Sequence, residues 1–398
     1  MGWFPRCLRQ GKLRKETEQS LTQIVLKVAS RCNLNCSYCY IYNGEDNGYL
    51  HQPKKISDKV FSALLARIDD YVEHSKRPMT LSLHGGEPTL IGLPRFIELV
   101  EWAQKELGDK LARIAIQTNA TLLDADWARA IKSLNVAPSI SIDGPKDIHD
   151  ATRVDLKGKG SHDRVVRGIR ELQAVGLQPN VLCVVNPALS GLEVYRHLRA
   201  LNVTRMDFLL PDVSHDNFER AYGALGPTPV ADYLLPILHA WMAEDDDDVR
   251  VRIFWDLFKK IMGGHAGTDG FSSTGTSYLV VETDGTIEAM DALRVCGNGI
   301  SRTGLNVLTD DFRAVSRAAP LAFDVIHGLV PLSPTCMACP KFGVCGGGYL
   351  PSRYSRDNMF ANPSVWCKDL SLLIDRMQGY LCDDEALDAA EPVMEQVH

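Results

Sequence analysis

Cys32-Asn33-Leu34-Asn35-Cys36-Ser37-Tyr38-Cys39-Tyr40 follows directly on the apolar run Ile24-Val25-Leu26-Lys27-Val28-Ala29. Cysteines spaced four and three apart can aim three sulfurs into one small space from a single loop. A cubane iron–sulfur cluster normally takes four cysteine ligands. A loop that supplies three leaves one iron open, and an open position on a metal points to chemistry rather than scaffolding. Because the loop follows a strand-like run, it also marks which end of the sheet carries that chemistry.

Working outward, strand-like runs at 24–29, 80–84, 113–118, 137–142, 180–185 and 205–210 alternate with helical patterns at 60–72, 94–106, 124–134, 163–175 and 193–201. Six strands separated by helices imply βαβ units and a parallel sheet, hence an α/β fold closing as a full or partial (β/α)6 barrel. Ligands in such barrels sit at the C-terminal ends of the strands, where the cysteine loop lies. The alternation stops after Leu210. Helices are expected at 228–243 and 251–262, separated by the acidic run Glu244-Asp245-Asp246-Asp247-Asp248, a solvated loop. Strands at 278–281 and 286–290 flank Asp284-Gly285, a hairpin signal. The pattern divides the chain into a tail (1–20), a (β/α)6 core (21–215), a helical bridge (216–275), a cysteine-rich domain (276–370), and a C-terminal helix with an acidic tail (371–398).

Within that domain Cys336, Cys339, Cys345 and Cys367 read C-x2-C-x5-C-x21-C. Four thiolates so spaced suit a tetrahedral zinc or a [4Fe–4S] cluster about equally. The first group tips the choice toward iron–sulfur. Gly346-Gly347-Gly348 lets backbone amides approach the sulfurs closely. Cys183 reads as a core residue. Cys7 and Cys382 lie near the ends without partners in sequence, and Cys296 stands between a buried and a ligating role.

The 398 residues are 45% hydrophobic, enough for a large core. A formal net charge of −7 argues against a general nucleic-acid binder, and the basic stretch at 6–15 reads as a solvated tail. No apolar run is long enough for a membrane span, and no apolar stretch follows the basic N-terminus as a signal peptide requires. A cytoplasmic protein is expected, in which eleven cysteines serve metals rather than disulfides.

With these elements in place the chain resembles the radical S-adenosylmethionine (SAM) superfamily. The C-x3-C-x2-C loop has an aromatic before its third cysteine. His84-Gly85-Gly86-Glu87-Pro88-Thr89-Leu90 looks like the family's GGEP element. Ser141-Ile142-Asp143-Gly144-Pro145, with Arg153 twelve residues after Ser141, is similar to anaerobic sulfatase maturases and their peptide-modifying relatives, and the last four cysteines resemble the SPASM extension. The resemblance covers about residues 24 to 370. It implies that Cys32, Cys36 and Cys39 hold a [4Fe–4S] cluster whose open iron takes SAM. It further implies that Gly85, Gly86 and Glu87 receive the SAM amino group, that Arg153 pairs with its carboxylate, that Ser141 bonds ribose or carboxylate, and that Tyr38 borders the adenine. Met290 and Tyr349 stand where relatives with two auxiliary clusters place cysteines, so one auxiliary [4Fe–4S] cluster is expected.

The expected reaction is hydrogen abstraction from a ribosomally made precursor peptide, leading to an intrapeptide crosslink from an aromatic carbon to a β-carbon. A small electron donor of flavodoxin or ferredoxin type is the expected partner. The alternatives are a sulfatase maturase forming formylglycine and an iron–sulfur peptide-binding protein without turnover. Crosslinking needs a proton acceptor, for which Asp291 and Asp284 are candidates, Asp284 being better read as a turn carboxylate.

Overall fold

The computed structural model describes residues 21–265, 269–271 and 275–382. The expectations for the tail at 1–20, for Cys7, for the basic stretch and for the acidic end lie outside the described residues.

Strands β1 (Gln23–Ala29), β2 (Met79–Gly85), β3 (Leu111–Thr118), β4 (Val136–Ser141), β5 (Asn180–Val184) and β6 (Arg205–Leu209) pair in sequence order, all parallel. Helices α1 (Asp58–Ser75), α2 (Leu93–Leu107), α3 (Ala125–Ser133), α4 (Lys146–Thr152), α5 (His162–Ala174) and α6 (Gly191–Ala200) occupy the crossovers. This is the expected α/β arrangement, six parallel strands joined by helices as a partial (β/α)6 barrel. The starts of these helices are written in the sequence: Ser57, Asp124 and Ser190 accept hydrogen bonds from first-turn amides of α1, α3 and α6. Inward residues such as Ile24, Leu26, Leu81, Ile116 and Ile140 are at most 1% exposed.

Helices α7 (His215–Tyr222), α8 (Pro229–Glu244) and α9 (Arg252–Ile261), with the short strand β7 (Arg250–Val251), follow β6. The sequence pattern missed α4 and α7. Both are short and polar, and α7 buries none of its residues.

The chain then returns to the other edge of the sheet. Strand β8 (Tyr278–Val281) pairs parallel with β1, and β9 (Thr286–Glu288) and β10 (Arg302–Asn306) extend it antiparallel. The cysteine-rich segment is thereby built onto the strand that launches the first cysteine loop.

Candidate active site

The cysteine loop leaves β1 where the β1–β2 register shifts between Lys27 and Ala29, an irregularity that lets the strand bend out of its ladder. Two other segments clamp it. Gly86 N and Glu87 N donate to Ala29 O (2.9 Å) and Arg31 O (3.0 Å), while Asn35 N and Ser37 N donate to Val154 O (2.7 Å) and Thr152 O (3.0 Å). The first clamp requires glycine. A Cβ on Gly86 would lie 1.9 Å from Tyr42 Oη and 2.4 Å from Arg31 O, and one on Gly85 would lie 2.1 Å from Ala29 O. The second clamp brings Arg153 beside Cys36, where its charge favours the thiolate against the opposing effect of burial. Burial, then Glu87, pushes the Cys32 thiol up to about 12. Without a metal these are neutral thiols, and ligation must displace their protons.

Glu87 was expected to receive the SAM amino group. The carboxylate is 1% exposed and already heavily used. Its Oε1 accepts from Thr89 N (3.1 Å), Thr89 Oγ1 (2.6 Å) and Thr118 Oγ1 (2.5 Å), and Oε2 accepts from Asn119 N (2.8 Å). It caps the turn Pro88–Ile91 and ties the end of β2 to the end of β3. Glu87→Ala strands several buried donors and is expected to destabilise the fold by about 3 kcal/mol or more, read from urea unfolding.

Tyr38 and Arg153 meet beside the loop, and Ser141 ends β4 two residues before Asp143. Tyr38 Oη donates to Asp143 Oδ2 (2.6 Å) and accepts from Arg153 Nη1 (2.5 Å). Arg153 Nε is buried without a hydrogen-bond partner among the described residues, a donor left over for a ligand. Ser141 Oγ accepts from Gln117 Nε2 (2.9 Å), which leaves its own hydrogen to donate. Three cysteines beside a buried arginine with a spare N–H fit a cluster whose open iron holds an amino acid's carboxylate and amine.

Asp291, the candidate proton acceptor, is buried in an ion network. Oδ1 accepts from Lys27 Nζ (2.8 Å) and Arg294 Nε (2.9 Å), while among the described residues Oδ2 accepts only from Tyr40 Oη, at 3.4 Å. Lys27 and Arg294 outweigh burial and hold its pKa far below the carboxylate range. Such a carboxylate is firmly ionised and a weak base. Asp284 accepts from Thr286 N (2.9 Å) across the hairpin turn, as a turn residue does. Lys27 had a signal in the sequence, a lone cation in an apolar strand, but its partners lie more than 250 residues away.

The second group also assembles. Burial raises the Cys345 thiol to about 12, helped by repulsion from Cys367, Cys336 and Cys339. Ser333 Oγ accepts from Cys336 N (3.1 Å), and Gly346, Gly347 and Gly348 all take positive φ in the turn after Cys345. Cys336 is buried, Cys339 and Cys345 half-buried, and Cys367 exposed. Cys296 is buried near Asp212 and Asp216 instead. Tyr349 Oη donates to Asp212 Oδ1 (2.8 Å), and Met290 is 1% exposed in the core.

The profile of the radical SAM superfamily matches residues 26–201. The chain is 25% identical over 358 residues to a cysteine-type anaerobic sulfatase-maturating enzyme of Clostridium perfringens, covering 87% of this chain and 94% of that one. It is 30% identical over 224 residues to an uncharacterized protein of Methanocaldococcus jannaschii, covering 53% of this chain and 73% of that one. Its fold matches native anSMEcpe with bound AdoMet at a TM-score of 0.79 and 23% identity over 90% of this chain and 99% of that one; the same enzyme with AdoMet and Cp18Cys peptide matches at 0.76. Residues 26–201 thus form a radical SAM domain, a family whose cofactors are a [4Fe–4S] cluster and SAM. The chain is an enzyme related to the anaerobic sulfatase maturases. Among the described residues no helix is long and apolar enough to cross a membrane.

Proposed function

We propose that this enzyme modifies a ribosomally made precursor peptide, joining an aromatic ring carbon to a nearby β-carbon. Cys32, Cys36 and Cys39 hold the SAM-binding [4Fe–4S] cluster, and Cys336, Cys339, Cys345 and Cys367 hold one auxiliary cluster. When bound, the first cluster and SAM would supply a 5′-deoxyadenosyl radical that removes a hydrogen atom from an unactivated carbon; closing the bond to the ring then releases one proton to solvent and one electron, which the auxiliary cluster would accept. The protein's own residues orient and shield that chemistry. Arg153 meets the SAM carboxylate, Ser141 donates to ribose or carboxylate, and the Gly85-Gly86-Glu87 turn holds the cysteine loop against β2 and β3.

The domain division at 215, 275 and 370 belongs to this reading, as do a cytoplasmic setting and an electron donor of flavodoxin or ferredoxin type. The observation that carries a single auxiliary cluster is the use of Met290 as core and of Tyr349 as the partner of Asp212. The similarity to sulfatase-maturating enzymes favours a second reading, oxidation of a cysteine or serine to formylglycine. Anaerobic iron analysis separates them. About eight irons per chain fits one auxiliary [4Fe–4S] cluster, and about twelve contradicts it. Mass spectrometry of a precursor peptide co-expressed with the enzyme then tests the bond: loss of two hydrogens, with fragmentation blocked between two residues, supports a crosslink, and formylglycine supports the second reading.

A further inference from the structure

Tyr38 was expected to border the adenine of SAM with its ring. Its hydroxyl does something more specific. It is held between Arg153 Nη1 and Asp143 Oδ2, and it belongs to a closed circuit of hydrogen bonds. Asp143 N donates to His149 Nδ1 (3.2 Å). That nitrogen must therefore carry the lone pair, so Nε2 carries the hydrogen and donates to Ser161 Oγ (2.9 Å). Ser161 in turn donates to Arg153 O (2.7 Å), and Arg153 closes the ring through Tyr38 back to Asp143. Asp143 is further pinned by Val184 N on Oδ1 (3.2 Å). Burial and the nearby Arg153 hold the His149 pKa down to about 2, so the imidazole stays neutral and keeps one tautomer.

The circuit leaves one conspicuous gap, the buried and partnerless Arg153 Nε. An unsatisfied buried N–H costs about 1–3 kcal/mol, and a ligand acceptor removes that cost. Asp143 does not fill the gap. Its Oδ2 is 3.8 Å from Arg153 Nη1, with the Tyr38 hydroxyl bonded to both. Without that hydroxyl the guanidinium is free to close onto Asp143 as an ordinary ion pair. We infer that Tyr38 and Asp143 are positioning residues that hold Arg153 open for the carboxylate of SAM. This rests on the radical SAM reading and adds to it a role for the hydroxyl.

The test compares SAM with decarboxylated SAM, each bound to anaerobically iron-loaded protein and measured by equilibrium dialysis. Tyr38→Phe keeps the ring and removes the hydroxyl. The inference predicts that the variant retains its iron, binds SAM about tenfold more weakly, and binds decarboxylated SAM as the wild type does. Unchanged SAM affinity overturns it, as does an equal loss for both ligands, which would mean a damaged loop or adenine wall. Should Tyr38→Phe lose iron, Asp143→Asn decides: a loss confined to SAM upholds the inference, and no loss or an equal loss overturns it. Failure of the wild type to bind SAM would instead sink the radical SAM reading itself.

Discussion

Arg294→Met is expected to destabilise the protein by about 3–5 kcal/mol, because removing one partner leaves several buried charges unpaired. Arg294 is 3% exposed and reaches four carboxylates: Asp291 (Nε, 2.9 Å), Asp46 (Nη1, 2.7 Å), Glu282 (Nη2, 2.7 Å) and Glu288 (Nη2, 2.5 Å). The other cation among them, Lys27, pairs with Glu282 (3.0 Å) and Asp291 (2.8 Å). Asp46 follows the cysteine loop, and the other three carboxylates belong to the segment around β8 and β9. Arg294 is thus the rivet between the two halves of the site.

The pH dependence has a definite sign. In the wild type the folded pKa of Asp291 lies below its unfolded value. Its contribution to stability is present above the unfolded pKa, near 4, and is lost as pH falls toward the folded value. In Arg294→Met, Asp291 and Asp46 lose a cation that lowers their pKa, and Glu288, already raised by burial, rises further. The deficit should therefore be largest at neutral pH and shrink on acidification. Urea unfolding at several pH values reads both effects, and a deficit independent of pH contradicts the assignment.

Gly86→Ala is expected to empty the N-terminal cluster site while leaving the second one filled. The added methyl meets the Arg31 backbone and the Tyr42 hydroxyl at distances no real Cβ tolerates. Arg31 immediately precedes Cys32, so the loop must shift away from β2 to relieve the clash. The hydrogen bonds from Gly86 N and Glu87 N to Ala29 O and Arg31 O would go with it. Iron analysis should then fall from about eight to about four per chain, with the circular dichroism of the barrel retained. A full iron complement in this variant contradicts the role given to the glycine.

The sequence carried the fold where local periodicity carries it. The six strands and five of the crossover helices are each signalled by their own apolar spacing, and both cysteine groups by their own intervals. What stayed hidden is what long-range packing decides. The return of β8 to pair with β1 cannot be read from either strand alone. Asp143 anchors Tyr38 from 105 residues away, a pairing that no local pattern announces. Glu87 looked like a ligand to SAM, and most of its bonding capacity goes to Thr89, Thr118 and Asn119. The place of Asp291 beside the hairpin suggests a base, and its contacts with Lys27 and Arg294 make it a weak one.

The central claim is that Cys32, Cys36 and Cys39 leave one iron open for SAM. Anaerobically iron-loaded protein, given SAM and dithionite, tests it directly. The account predicts 5′-deoxyadenosine and methionine from the wild type and none from Cys36→Ala. No 5′-deoxyadenosine from a fully loaded wild type, or its undiminished formation by the variant, would contradict it.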